Sequence, residues 1–317
     1  MRWPRTAPKG YDPTFGDPEL QTAVTNLLDG DWVSIERLFR PARESWVLSN
    51  VLHDEEIAIP LSRFEAWAAE SGTGLAVAHL GQAQITAAWK HHGSAGTDPI
   101  AAERFTEGMG RAEGTLEEAI QLDPALAEPW AGLMITGRGL RLAIADIEDR
   151  FVHVHAREPF RFDACHEMTL AMSARDGGSH DAMFEFVRWL NDEAPADSAA
   201  RCLVHLAHFE YALSDAETGL TLNDYLSVPE VATELKKVAH DYLRATPSLA
   251  TAEHLQALNL ILLMVLPIDT LSGRVVREAI NRISDRPTAV PWSYWDEDIH
   301  RRFRTVRNER AKAAKFV

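Results

Sequence analysis

Apolar residues in this chain recur at the three- and four-residue spacing of helix faces, and hardly anywhere at the alternate positions of a strand. Ala164, Met168, Ala171 and Met172 keep that spacing, as do Met183, Phe186, Val187 and Leu190. Helix starts and stops lie between such sets. Asp17-Pro18 and Asp98-Pro99 each place a capping acid before a proline at the first helical position. There the missing N–H costs nothing, and the carboxylate accepts from a free backbone donor. Gly30-Asp31 separates the apolar set Leu20–Leu28 from Trp32–Phe39. Asp176-Gly177-Gly178-Ser179 reads as a stop and a restart: glycine permits a left-handed helix end, and Ser179 caps the next helix.

These signals predict helices near 42–57, 60–70, 74–91, 100–123, 128–138, 141–156 and 161–175. Further helices follow from Ser179 to Glu193, then near 198–213, 229–245, 249–266 and 270–284, with a loop at 214–223. The latter part of 292–317 is helical in the same reading. No run alternates like a strand, and no Asn-Gly hairpin turn occurs. The predicted fold class is all-α with no β-sheet, its short loops suited to antiparallel hairpins. The predicted organisation is an extended N-terminal segment over 1–16, a single helical domain over 17–290, and a C-terminal segment over 291–317 with a basic helix.

The segment Leu116-Glu-Glu-Ala-Ile-Gln-Leu-Asp-Pro-Ala-Leu-Ala-Glu-Pro-Trp-Ala-Gly-Leu133 resembles a junction between tetratricopeptide repeats. A helix ends in Leu-Asp-Pro, and an aromatic arrives in the next one to pack into the neighbouring hairpin. The units near Glu158-Pro159 and Glu193-Ala-Pro195 repeat this grammar loosely, without a regular period. The resemblance implies a right-handed α-solenoid of antiparallel hairpins. A broader set comprises Asp17-Pro18, Gly30-Asp31-Trp32, Ala87-Ala88-Trp89, Glu128-Pro129-Trp130 and Gly137-Arg138-Gly139-Leu140. It continues through Gly178-Ser179-His180 with Met183, Phe186 and Arg188, and ends in Ala207-His208-Phe209-Glu210. Over about residues 12–212 this set resembles a group of actinobacterial helical-repeat proteins of unknown function, and so implies a fold but no activity.

Composition narrows the partners. The 317 residues are 46% hydrophobic and 25% charged, ordinary for a folded protein, and the net charge is −15. From Ile299 onward the chain carries seven basic residues and one acid, so that stretch sums to +6 and the remainder to −21. An acidic body repels nucleic acid and anionic membrane at long range. The basic end is expected to lie on that acidic body, to meet an acidic partner, or to end a helix in solvent. Trp292 and Trp295 are expected to dock the C-terminal segment onto the body. The most apolar run, Leu258–Leu266, is interrupted by Asn259 and stopped by Pro267, well short of the about twenty residues a membrane span needs. The start has no signal-peptide pattern, and a cytoplasmic location is expected. Cys165 and Cys202 read as buried free thiols.

Chemistry-bearing patterns are sparse. Glycine-rich phosphate loops, a nucleophile elbow, His-Glu-x-x-His and paired Cys-x-x-Cys are all absent from the sequence, so no cofactor is predicted. Cys202, His205 and His208 fall three apart and share a helix face, and His166 beside Cys165 and Glu167 is a fourth candidate ligand. The simpler reading is a set of hydrogen-bonded histidines between helices. The predicted function is a non-enzymatic protein-binding scaffold or adaptor that holds an unidentified protein or peptide partner on a concave face. Its expected anchors are Trp130, Arg138, His166, Arg188, His208 and Glu210, with the arginines suited to carboxylates. The alternative is a metal-dependent enzyme or metal-binding accessory built on His166, Cys202, His205 and His208.

Overall fold

A computed structural model describes residues 12–39, 45–54, 56–95, 98–214, 221–246, 252–268, 273–292, 301 and 303–308. Every regular element among them is helical. The caps form where the sequence places them. Asp17 accepts from the Glu19 N–H at 2.8 Å, Asp98 from Ile100 at 3.0 Å and Ser179 from Ala182 at 3.1 Å. Gly177 takes φ +102°, the left-handed end. Gly178 is tighter still: a Cβ there would lie 2.1 Å from the Met172 carbonyl oxygen.

The described residues form two compact units that divide the chain between Ala171 and Met172, inside the stretch read as one domain. The first holds α1 (Pro18–Asp29), α2 (Trp32–Leu38), α3 (Ser45–Leu52), α4 (Leu61–Ser71) and α5 (Gly74–Ala95). It continues with α6 (Pro99–Leu122), α7 (Glu128–Gly139), α8 (Ile144–Arg157) and α9 (Phe162–Ala171). Residues 13–16, just ahead of α1, form a turn. Phe15 and Gly16 take φ of 53° and 72°, and the Thr14 carbonyl accepts from Asp17.

The pair α5–α6 makes the most extensive contact in the first unit, and small residues make it close. A Cβ at Gly81 would lie 2.6 Å from Leu116 Cδ2, and one at Gly108 would lie 2.8 Å from the Ala88 Cβ. Ile85, Phe105, Met109, Ala112, Leu116 and Leu133 close a core between α5, α6 and α7. Beyond it the packing alternates: α7 lies on α5 and α6, and α9 lies on α7 and α8.

The second unit holds α10 (His180–Glu193), α11 (Leu203–Ser214), α12 (Leu222–Leu226), α13 (Pro229–Ala245), α14 (Ala252–Val265), α15 (Arg274–Ile283) and α16 (Ala289–Trp292). Single 3-10 turns occupy Ala174–Asp176 and Ala199–Cys202. The first of these ends the helix predicted over 161–175 at Ala171. Its centre is α14, which packs on α11, α13, α15 and α16. Asn259, fully buried there, donates to the Leu255 carbonyl at 2.8 Å and accepts the Trp292 indole N–H at 2.6 Å. Trp292 therefore docks inside its unit, with Phe303 edge-on at 5.7 Å. Val306 is buried, and Arg307 pairs with Asp285. Arg282 is buried against the end of α13. Its guanidinium donates to the Leu243 carbonyl at 2.7 Å and the Thr246 hydroxyl at 2.7 Å. Trp295, the first eleven residues and most of the basic C-terminal stretch lie outside the described residues.

Candidate functional site

The expected anchors divide between the two units and meet carboxylates that the sequence did not single out as partners. In the first unit Arg138 on α7 donates to Glu167 on α9 at 2.9 Å, and its guanidinium lies 5.5 Å from the Trp89 ring on α5. His166 Nδ1 is 3.4 Å from the other Glu167 oxygen. Trp89, Arg138, Glu167 and His166 thus form a half-buried ladder across the alternate helices α5, α7 and α9. Burial by itself would raise the Glu167 carboxyl; Arg138, with His166, outweighs it and holds the group at about 2. Trp130 stacks on His153 at 3.8 Å between centroids, under the Arg157 guanidinium at 5.5 Å.

In the second unit Arg188 on α10 grips Glu234 on α13 with two hydrogen bonds of 2.9 and 3.0 Å. His208 on α11 reaches the same carboxylate through Nε2 at 3.2 Å, while its Nδ1 lies 2.6 Å from the Tyr225 hydroxyl. Hydrogen bonds from His208 and Arg188 hold the Glu234 carboxyl down at about 2. An ionised carboxylate only accepts, so His208 Nε2 donates to Glu234, and its Nδ1 shares the second hydrogen bond with the Tyr225 hydroxyl. The result is a hydroxyl–imidazole–carboxylate chain closed by an arginine. Glu234 also borders an open depression of about 480 Å³ along α13. Glu210 faces another way and pairs with Arg175 at 3.0 Å.

Of the six expected anchors, His208 and Glu210 are 2% and 3% exposed and present almost no surface. Arg188 remains largely exposed, and Arg138 and His166 are partly so. The residues of the metal alternative fall in different units, His166 in the first and Cys202, His205 and His208 in the second. Both ring nitrogens of His205 face backbone carbonyls, Cys202 and Leu235, each at 3.2 Å, and burial lowers the ring to about 4. Burial pushes the Cys165 and Cys202 thiols up, away from the thiolate a metal needs. Among the described residues no group of three or more His, Cys, Asp and Glu side chains is placed to hold a metal ion.

Two further polar clusters escaped the sequence reading, and both lie in the first unit. Arg161, 5% exposed, meets Asp163 at 2.8 Å, Glu158 at 3.0 Å and Glu128 at 3.2 Å. Burial disfavours its charge, but the three carboxylates, Asp163 foremost, reverse that. His53 and His79 share one hydrogen bond of 3.0 Å. Phe64 stacks on His53, and Phe39 and Trp67 lie on His79. Burial lowers both rings, His79 to about 3, and the outer nitrogens, His53 Nδ1 and His79 Nε2, are buried without a partner. A hint of the Arg161 cluster was available, since Glu158 and Asp163 flank the arginine in sequence. The histidines are 26 residues apart, and their pairing had no local sign.

No described helix is long and apolar enough to cross a membrane. Comparison with protein-family models, curated proteins and solved structures gave no significant match.

Proposed function

We propose that this protein is a non-enzymatic binding scaffold: a degenerate, tetratricopeptide-like α-solenoid that holds a protein or peptide partner on the face of α5, α7 and α9. The packing order carries this reading. In the first unit α7 packs on α5 and α9 packs on α7, while α6 touches both α5 and α7 and α8 touches both α7 and α9. Such two-layer stacking presents the alternate helices side by side as one continuous face. The ladder of Trp89, Arg138, Glu167 and His166 runs across that face, pairing an aromatic ring with ionised groups as interface anchors do. An acidic body favours a partner with basic or apolar contact groups over nucleic acid. The two free buried thiols suit a reducing, cytoplasmic setting.

Site-directed photo-crosslinking tests the reading. A benzophenone amino acid placed at His166 is expected to capture one protein reproducibly, and the same probe at Val152, 61% exposed on α8, is expected to miss it. Capture from neither position, or equally from both, overturns the assignment of this face.

A further inference from the structure

Where the end of α3 and the loop after it meet α4 and α5, the first unit holds a cavity of about 60 Å³ that the scaffold reading does not use. Leu52, Ile59, Leu61 and Phe64 line it from α3, the loop and α4, and Ala83 and Ala87 line it from α5. Polar side chains complete the lining: His53, Asp54, Thr86 and Lys90. Mostly apolar walls with a few polar groups are the make-up of a small-molecule site. The volume is about two waters' share of the liquid, so only a very small molecule fits.

The polar groups are met to different degrees. Thr86 donates to the Gln82 carbonyl at 3.2 Å and keeps its lone pairs. Asp54 accepts from the Glu56 N–H at 2.9 Å, which fixes its carboxylate where α3 ends. Lys90 is exposed, and among the described residues no carboxylate reaches it as an ion pair. His53 joins His79 through Nε2, and its Nδ1 has no hydrogen-bond partner. Two neutral imidazoles linked in this way hold one proton between them and one at an outer nitrogen. His53 Nδ1 is therefore an N–H when His79 donates, and a bare lone pair when His53 donates. The pair can turn an N–H toward an acceptor by exchanging tautomers, without gaining charge.

We propose that this cavity binds a free amino acid of the smallest kind, glycine or alanine. Its carboxylate meets Lys90 and the His53 Nδ1–H, its ammonium meets Asp54, and a side-chain methyl lies on the apolar wall. The charges select the class. A simple anion is drawn to Lys90 but repelled by Asp54, and a simple amine the reverse; a zwitterion answers both. The volume sets the upper limit, since a branched or long side chain has no room. The site takes no residue from the ladder of Trp89, Arg138, Glu167 and His166, so it stands or falls apart from the scaffold reading.

The test is a titration of the full-length, nitrogen-15-labelled protein with glycine, alanine, acetate, methylamine and leucine at pH 7 and constant ionic strength, read at the histidine ring nitrogens. Glycine and alanine are expected to shift the His53 ring signals saturably, with Nδ1 protonated in the bound state. Acetate and methylamine are expected to bind more weakly than glycine, and leucine not at all. Lys90→Ala removes an exposed side chain, so the variant folds. It is expected to weaken glycine binding about five-fold, the worth of a good exposed ion pair. Shifts that never saturate, or that Lys90→Ala leaves unchanged, overturn the proposal. Acetate binding as tightly as glycine, or a bare His53 Nδ1 in the bound state, overturns it as well.

Discussion

Acid should unfold the first unit through its neutral histidines. His79 is fully buried, and burial lowers it from an ordinary 6.5 to about 3. The unfolded chain therefore takes up a proton below pH 6.5 that the folded ring refuses. Stability is complete above 6.5 and declines as the pH falls toward 3. From pH 7 to pH 5 the unfolded ring gains about 2 kcal/mol, and a folded ring that stays neutral gains nothing. His53, also lowered by burial, acts in the same direction. A change of about 2 kcal/mol is already a sizeable share of the stability of a typical domain. The stability that Glu167 contributes is present above its ordinary carboxyl range and is lost only as the pH falls below that range, outside this window. Glu158, raised by burial, acts in the opposite direction but is common to wild type and variant. Urea titrations at pH 7 and pH 5, followed by tryptophan fluorescence, measure the loss. Trp67 stacks on His79 at 5.3 Å and reports on this unit. A His79→Gln protein keeps a hydrogen-bonding side chain but no titrating ring. Its pH-dependent loss should be about 2 kcal/mol smaller than that of wild type. An unchanged loss would refute the assignment of the acid sensitivity to this pair.

Other outcomes follow from the same packing. Gly81→Ala drives a methyl into Leu116 and should cost about 1–3 kcal/mol, whereas Gly110→Ala, with open space around it, should stabilise by up to about 1 kcal/mol; thermal unfolding compares the two. Arg161→Met leaves Glu128, 4% exposed, without its cation and should cost about 3–5 kcal/mol by denaturant titration, and adding Glu128→Gln should recover part of that. Trp292→Phe leaves the Asn259 oxygen unpaired in the core of the second unit and should cost about 1–3 kcal/mol, read from the urea midpoint. Arg188→Ala, at an exposed pair, should change stability by less than about 1 kcal/mol in the same measurement.

The fold was legible wherever it is written locally. Proline-led caps at Asp17 and Asp98 and the left-handed Gly177 fall at the predicted joints, because each is decided within a few residues. The same locality explains what was missed. The five-residue α12 begins at the end of the predicted loop at 214–223 and runs past it; too few residues exist to show a period, although Thr221 and Asp224 form a capping box at its start. The division at Ala171 has no linker to announce it; the helix simply stops and a 3-10 turn follows. For the candidate site, the histidines and arginines were visible as residue types. Their partners were not: Glu234 lies 46 residues from Arg188, and Glu167 lies 29 from Arg138. Cys202, His205 and His208 illustrate the cost. Spacing puts them on one helix face, yet the imidazoles turn to separate partners, two backbone carbonyls for one, a tyrosine and a glutamate for the other.

Arg282 carries a consequence for the order of assembly. The terminal carbonyls of α13 are completed by a guanidinium that arrives 39 residues later, on α15. Until α15 docks, the last turn of α13 holds open acceptors that water must serve, so the helix frays there. Its first turns, started by Pro229, need no such help. The helix should therefore form from its beginning and be finished from outside, its closing turn appearing together with α15 rather than with the rest of α13. That couples a local event to a distant one and gives the second unit a late, cooperative step in refolding.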